Sequence, residues 1–324
     1  MKKEDGLIDA LNKKAGKKIA FQGEDDTIEE VQVIPTGIIP LDYALGVGGI
    51  PRGRITDLYG LPSVGKSTIC YNTMAQAQKM GLQCALIDAE YSYSPEYVRS
   101  FGVDTDKLVI IQPDCFEEAA DAIEALVRAK MGLIVVDSIS ALVPKALAEA
   151  DHGKPPMAMQ ARAVSAMLVK IVAPVAKNKT ALVCINQMRI NIMAMHPGDK
   201  WSVTGGWALK FYSTIRIEVK KLKAILEKEE PVGYVTGFKI VKNKLARPGL
   251  QCEIPYIHGE GFDKQGDLIE MALERGLLTR EGNTIYFEGN KLAIGKEKAG
   301  QALEANPALK MSITAALFPP ESQQ

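Results

Sequence analysis

The chain has 324 residues, its 39 Lys and Arg are matched by 39 Asp and Glu, and 47% of it is hydrophobic. Such a length gives one large domain with one or two satellites, and the composition excludes a disordered or fibrous chain. Zero net charge leaves any polynucleotide partner to a local basic patch. No run approaches the ~18 consecutive apolar residues of a membrane span, and MKKEDGLIDALNKK lacks the apolar stretch of a secretory signal, so no membrane partner is expected. The five cysteines are odd in number, widely spaced and in no CxxC pair, and His152, His196 and His258 add no metal spacing. They read as small buried residues of a cytoplasmic protein in a reducing environment.

In chain order, residues 3–13 carry a weak helical pattern through Leu7, Ile8 and Leu11. A basic stretch from Lys13 to Lys18, a short strand at 19–21 and the acidic turn GEDD follow. This is an arm (1–35) with too little apolar surface to fold alone, so it docks on its own domain or on a neighbouring subunit. From Val31 to about Glu260 strands and helices alternate. Strands are expected at 54–59, 84–88, 108–112, 133–136 and 181–186, and helices at 67–80, 117–130 and 157–177. Apolar strands alternating with helices give an α/β fold with a mostly parallel sheet covered on both faces. Residues 207–219, 233–242 and 251–257 read as consecutive strands extending that sheet. Beyond Asp263 a helix at 268–275, a strand-like TIYFEGNKLAIG and more helix to about Phe318 form a small α/β lobe. The expected parts are thus an arm at 1–35, a core at 36–262 and a lobe at 263–324.

Residues 60–68 read Gly60, Leu61, Pro62, Ser63, Val64, Gly65, Lys66, Ser67, Thr68, which is G-x-x-x-x-G-K-[ST] between a strand and a helix. Glycines let backbone N–H groups close around phosphate oxygens, and the helix points its positive end at them. Lys66 reaches the outer phosphates of ATP and the Ser67 hydroxyl serves Mg²⁺. The apolar run Leu133 to Val136 ends in Asp137, the acidic partner for that ion. A carboxylate at the end of CALIDAE would orient the attacking water, and spacing alone divides that role between Asp88 and Glu90.

The chain resembles the RecA recombinases, the DNA strand-exchange ATPases of bacteria and phages. The resemblance rests on TGIIPLDYALGVGGIPRGRI (36–55), the phosphate loop, LIDAEYSYSPEYVRSFGVD (86–104), LIVVDSISALVPKA (133–146), INQMR (185–189), TGGWALKFYSTIRIEV (204–219) and KIVKNKLARP (239–248). It implies a RecA-like core in which Glu90 rather than Asp88 is the catalytic carboxylate. Tyr97 stacks on adenine, Gln187 senses the γ-phosphate, and Lys242 and Lys244 reach the nucleotide of the adjacent subunit. Phe211 then lies at the subunit interface, and the arm matches the polymerisation arm loosely, through Phe21. The implied partners are single-stranded DNA, a homologous duplex and further copies of the chain in a helical filament.

Two segments are candidates for the DNA surface. Residues 150–157 are polar with Gly and Pro. Residues 188–206 form a long loop rich in Ile190, Ile192, Met193, Met195 and Trp201, suited to wedging between bases or, without the resemblance, to serving as a lid or contact patch. Met157, Arg162, Arg189, Ile190, Ile192, Gly205, Gly206, Lys220, Lys221 and Lys239 are the candidate contacts. Residues 205–250 hold ten Lys and Arg against four Glu, a local excess that favours a phosphate-binding groove. Departures from the family pattern are Ser94 in place of an Asp near adenine, Val169 (beside Lys170) in place of a second basic contact, Asn191 in place of a Lys, and no acidic tail. The function this implies is ATP-driven homologous pairing and strand exchange. The competing expectation is an oligomeric ATPase of clock or signalling type that does not use DNA.

Overall fold

A computed structural model of the chain describes residues 2–21, 31–148, 157–190, 201–203, 206–262 and 265–317. It divides into two compact units, 1–32 and 33–324.

The first unit is helix α1 (Lys2–Ala15) and the link after it. Leu7 and Leu11 lie four apart on one side of α1, and both are exposed. The strand expected at 19–21 is absent. Asn12 explains this: its Oδ1 accepts the N–H groups of Ile19 (2.7 Å) and Ala20 (2.8 Å), and its Nδ2 donates to the Ala20 carbonyl (2.8 Å). One side chain takes the backbone bonds that a strand partner would take.

The second unit opens with β1 (Val33–Ile34), α2 (Ile39–Ala44) and β2 (Ile50–Pro51), β1 and β2 pairing antiparallel. The alternation follows as β3 (Ile55–Gly60), α3 (Lys66–Lys79), β4 (Cys84–Asp88), α4 (Pro95–Ser100), β5 (Leu108–Ile111), α5 (Phe116–Arg128), β6 (Leu133–Asp137), α6 (Lys145–Ala148), α7 (Met157–Lys177) and β7 (Ala181–Ile190). Then come β8 (Trp201–Val203), α8 (Gly206–Tyr212), β9 (Ile215–Glu227), β10 (Glu230–Asn243), β11 (Gln251–Ile257) and β12 (Gly261–Phe262). The lobe is α9 (Gln265–Glu274), β13 (Leu278–Glu281), β14 (Thr284–Phe287), β15 (Asn290–Ile294), α10 (Lys296–Ala305) and α11 (Pro307–Leu317).

The large sheet runs β12-β11-β10-β9-β3-β7-β6-β4-β5, with β8 beside β7. From β9 to β5 neighbours are parallel, and from β9 to β12 antiparallel. Strands β3, β4 and β6 are buried from end to end, which is why CALID and LIVVD read as unbroken apolar runs. One face packs Leu58, Leu86 and Val135 against Ile69 and Met74 of α3. The other packs Ile87 and Val136 against Ile123 of α5 and Val164, Leu168 and Ile171 of α7. Each such side chain contributes ~1.5–3 kcal/mol by leaving water. Helix α5 shows its origin plainly. Phe116, Ala119, Ile123 and Val127 make one buried stripe, and its acidic first turn and Arg128 complement the helix dipole. By length and composition one described segment, Met159–Lys177, would pass for a membrane span. Its Val164, Leu168, Ile171 and Val175 instead line the sheet-covering core.

Three further expectations change. Residues 206–212 are helix, not strand: Leu209 points inward while Trp207 and Phe211, four apart, point out. Apolar residues on both sides of the segment had hidden its helical period. The strand that follows runs to Glu227, so β9 and β10 form a long hairpin in which the outer half of β9 is largely exposed while its partners Gly233 to Thr236 on β10 are buried. The loop expected at 188–206 is strand at both ends, with Met188, Arg189 and Ile190 of β7 paired to Val203, Ser202 and Trp201 of β8. Ile192, Asn191, Met193, Met195, Gly205 and the 150–156 loop lie outside the described residues, as does the end of the chain from 318.

The lobe has its own core, in which Leu268, Ile269 and Ala272 of α9 meet Leu278, Ile285, Leu303 and Ile313. Its Arg275 lies 4.3 Å from the ring of Tyr43 on α2.

Candidate active site

Parallel register brings the carboxyl ends of the central strands together. Gly60 of β3 pairs with Gln187 of β7, and Asp88 of β4 with Asp137 of β6. The 60–66 loop turns over these ends, and both of its signature glycines are obligatory. A Cβ on Gly60 would stand 2.2 Å from the Val219 carbonyl. Gly65 precedes α3 with φ +91°, where a Cβ would meet Phe262 at 2.9 Å. Leu61, Pro62 and Ser63 are exposed, Val64 is buried, and Thr68 is buried one turn into α3. Lys66 Nζ donates to the carbonyls of Leu61 (2.7 Å) and Gly60 (3.2 Å). Burial holds its ammonium below the ordinary lysine range, while Asp137 and Glu90 pull the other way.

Ser67 Oγ donates to Asp137 Oδ2 at 2.5 Å. Burial, against the Ser67 bond and aided by Glu90, raises the Asp137 carboxyl to about 6. The two carboxylates that spacing could not separate now differ. Asp88 is buried and accepts from the Ser92 and Tyr93 N–H groups and from Gln112 Nε2, at 3.0–3.1 Å, so it is consumed in shaping the turn after β4. Glu90 is exposed, and its Oε1 accepts from Ser138 Oγ (2.6 Å) and Gln187 Nε2 (2.7 Å). Among the described residues no protein donor bonds its Oε2.

Aromatic side chains wall the loop. Tyr97 is 44% exposed and meets Phe101 (5.0 Å, 85°) and Tyr71 of α3 (6.1 Å, 86°) edge to face. Its hydroxyl is 3.4 Å from that of Tyr256, which is stacked on Tyr234. Tyr234 donates to the Ser63 carbonyl (3.2 Å), joining β10 to the loop. Tyr234 and Tyr256 were not foreseen, since rings on an alternating strand carry no local signal of what they face. Ser94 caps α4 by accepting the Tyr97 N–H at 3.4 Å.

The remaining candidates divide. Lys242 Nζ donates to the carbonyls of Lys210 (2.6 Å) and Phe211 (3.0 Å), capping α8 with a cation. Burial first, then Lys244 and Arg216, lower its pKa. Below it Arg216 of β9 pairs with Asp57 of β3 at 2.8 Å and lies 4.6 Å from the Tyr59 ring. Phe211 and Trp207 stack on the open face of α8 at 5.9 Å. Lys220 and Lys239 share one face of the β9–β10 hairpin with Glu218, and Lys220 pairs with Glu218 at 3.0 Å. Lys221 is on the opposite face, 4.4 Å from the Tyr234 ring. The expected basic groove is therefore not one continuous patch. Arg162 and Val169 lie exposed seven residues apart on one side of α7, whereas Lys170 lines a cleft with Glu117, Asp121 and Glu124 of α5. Met157 and Gly206 open α7 and α8, and Arg189 and Ile190 end β7.

A phosphate loop at the end of β3, an acidic strand end beside its serine and a doubly hydrogen-bonded carboxylate just beyond β4 define a nucleoside-triphosphate hydrolase of the P-loop class. The RecA N-terminal domain family matches residues 2–263, and the RecA C-terminal domain family 266–318. The chain is 41% identical over 310 residues to Protein RecA of Streptomyces coelicolor, covering 95% of this chain and 83% of that one. It is 41% identical over 304 residues to Protein RecA of Saccharopolyspora erythraea (94% and 88%), and 40% identical over 310 to that of Bifidobacterium breve (95% and 79%). The chain belongs to the RecA family. It is a DNA-dependent ATPase of homologous recombination and DNA repair, an ATP-using, DNA-binding, filament-forming protein.

Proposed function

We propose that ATP is hydrolysed at the seam between two copies of this chain laid head to tail on single-stranded DNA, with Glu90 as the base for the attacking water. Oε1 of Glu90 is occupied by two donors, so Oε2 is the atom left to take the proton. The water oxygen bonds the γ-phosphorus, the bond to the β-phosphate oxygen breaks, and ADP and phosphate leave. Gly60, Pro62, Ser63, Val64 and Gly65 give backbone N–H groups or shape to the phosphate cradle. Lys66 exchanges its two carbonyl partners for phosphate oxygens, Thr68 holds the first turn of α3, and Tyr97 offers an exposed ring to the base. Ser67 Oγ and Asp137 Oδ2 are adjacent hard oxygen donors, the set that Mg²⁺ takes alongside phosphate. Bound there, that ion would neutralise charge on the transferring oxygens.

Gln187 bonds Glu90 and stands on the strand that leads into 191–205, so it can report the γ-phosphate to that segment. Lys242 and Lys244 complete the site across the seam, and Phe211 packs there. Residues 1–35 serve as the polymerisation arm, 36–262 as the core and 263–324 as the lobe. Met157, Arg162, Arg189, Ile190, Ile192, Gly205 and Gly206 meet the single strand, while Lys220, Lys221 and Lys239 supply positive charge on two faces for the strand and its homologous duplex. The cytoplasm is the compartment we assign, since all five cysteines are free thiols and four are buried.

The observation that carries this reading is the doubly held Glu90 within the ring of strand ends. Single-stranded DNA is expected to stimulate ATP turnover, and Lys66→Ala to abolish it. Glu90→Gln is expected to bind ATP and DNA yet lose about 10²–10⁴-fold in kcat. Turnover indifferent to DNA would end this reading in favour of a DNA-independent ATPase.

A further inference from the structure

The turn after β6 carries two buried hydroxyls, Ser138 and Ser140, whose Oγ atoms are 2.8 Å apart. Ser138 Oγ is also 2.6 Å from Glu90 Oε1. An ionised carboxylate can only accept, so the single hydrogen of Ser138 goes to Glu90. The bond between the serines is therefore donated by Ser140. The relay has one direction: Ser140 to Ser138 to Glu90.

The turn itself is tied on two sides. The Ile139 N–H donates to the Ile185 carbonyl of β7 at 2.9 Å. From the other side Gln160 Nε2 donates to the carbonyls of Leu142 (2.8 Å) and Ile139 (3.1 Å). Gln160 stands in the first turn of α7, three residues after Met157 and two before Arg162. The Ile139 carbonyl lies between the two serines and the Leu142 carbonyl two residues beyond Ser140, so a displacement of the start of α7 is passed to the serine turn through one amide.

We propose that Ser140 and Gln160 are positioning residues for Glu90: Ser140 aligns the Ser138 hydroxyl on the carboxylate, and Gln160 makes that alignment depend on the start of α7, where a polynucleotide is read. This inference rests on the reading of Glu90 as the base. It gives the ATP site a link to the α7 side of the molecule that is separate from the one through Gln187 and β7.

The test is steady-state ATP turnover with and without single-stranded DNA, with DNA affinity and melting temperature measured on the same proteins. Ser140→Ala is expected to lower DNA-stimulated kcat about tenfold, a part of what misalignment of a reacting group can cost. KM for ATP, DNA affinity and melting temperature should stay within twofold or a few degrees, and Ser140→Thr, which keeps the hydroxyl, should restore most of the rate. Because Ser140 acts through Ser138, the Ser138→Ala/Ser140→Ala double variant should be no slower than Ser138→Ala alone. Gln160→Leu should reduce the ratio of DNA-stimulated to basal turnover more than it reduces basal turnover. Additive losses in the double variant, a full rate in Ser140→Ala, or equal losses of both rates in Gln160→Leu would overturn the proposal. Glu90→Gln separates the two failures. If that variant is inactive while Ser140→Ala is unimpaired, only the relay is wrong. If Glu90→Gln still turns over, the base assignment falls and the relay with it.

Discussion

Asp42 is a buried acid away from the phosphate loop, and its Oδ1 accepts the Thr36 N–H at 2.8 Å. Burial outweighs that bond and raises its carboxyl from 3.8 to about 7. A carboxyl whose folded pKa lies above its unfolded value binds an extra proton on folding. Its contribution is thus favourable at low pH and is lost as pH rises from about 4 to about 7. Asp42→Asn keeps the acceptor without the charge. Chemical unfolding at pH 8 should find the variant more stable by on the order of 2–4 kcal/mol, with a flatter dependence between pH 4 and 7. Equal stability at pH 8 would show that the buried charge costs nothing. The same physics explains what single residues could and could not tell. Lys66, Ser67 and Asp137 were legible because their chemistry fixes their spacing. Asp88 and Glu90 were not separable without the family resemblance, because the distinction lies in which one the turn consumes as a hydrogen-bond acceptor.

At the level of elements, legibility followed hydrophobic pattern. Strands β3, β4 and β6 announce themselves as closed apolar runs and α5 as a stripe, since burial on two faces or one dictates those patterns. Helix α8 did not, because Trp207 and Phe211 are apolar yet exposed. The β9–β10 hairpin did so only in part, because the outer half of β9 is largely exposed on both faces and has no reason to alternate. Its turn is also built from unfavourable residues: Lys228 (φ 48°) and Glu229 (φ 71°) both sit in the left-handed region. Glu227 and Glu230 face each other across it. The tight two-residue turn with both central φ angles positive prefers Asn-Gly. Replacing Lys228 and Glu229 by Asn and Gly should therefore stabilise the hairpin by about 1 kcal/mol, read as slower amide exchange in residues 224–234. Faster exchange there would mean that the charged pair is holding the turn rather than straining it.

At the scale of the whole molecule, the proposed function makes the site of one chain half of a shared one. Its cradle, Ser67–Asp137 pair and Glu90 are assembled within one chain, while Lys242 turns back to cap α8 and Phe211 stands open to solvent at 65% exposure. A surface and a complementary site on the same chain, when they do not close a ring, generate an open helix of copies. In such an assembly the lysines would leave the α8 carbonyls for the neighbour's triphosphate, where they stabilise charge in the transition state. Binding of a polynucleotide by many copies should then be strongly salt-dependent, since each copy adds phosphate contacts. The sheet and its strand ends could be read from one chain. The proposed seam could not, because the lysines and rings assigned to it are ordinary surface residues in a single chain.

The central claim is that one site is shared by two chains, and mixing tests it directly. Glu90→Gln subunits keep the reaching lysines but lack the base, whereas subunits carrying both Lys242→Ala and Lys244→Ala keep the base but lack the lysines. Each protein alone should be nearly inactive on single-stranded DNA. In an equal mixture about one seam in four pairs an intact base with intact lysines, so turnover should rise to roughly a quarter of the unaltered protein's. Turnover no greater than the average of the two separate preparations, in filaments shown to contain both, would contradict a site completed in trans.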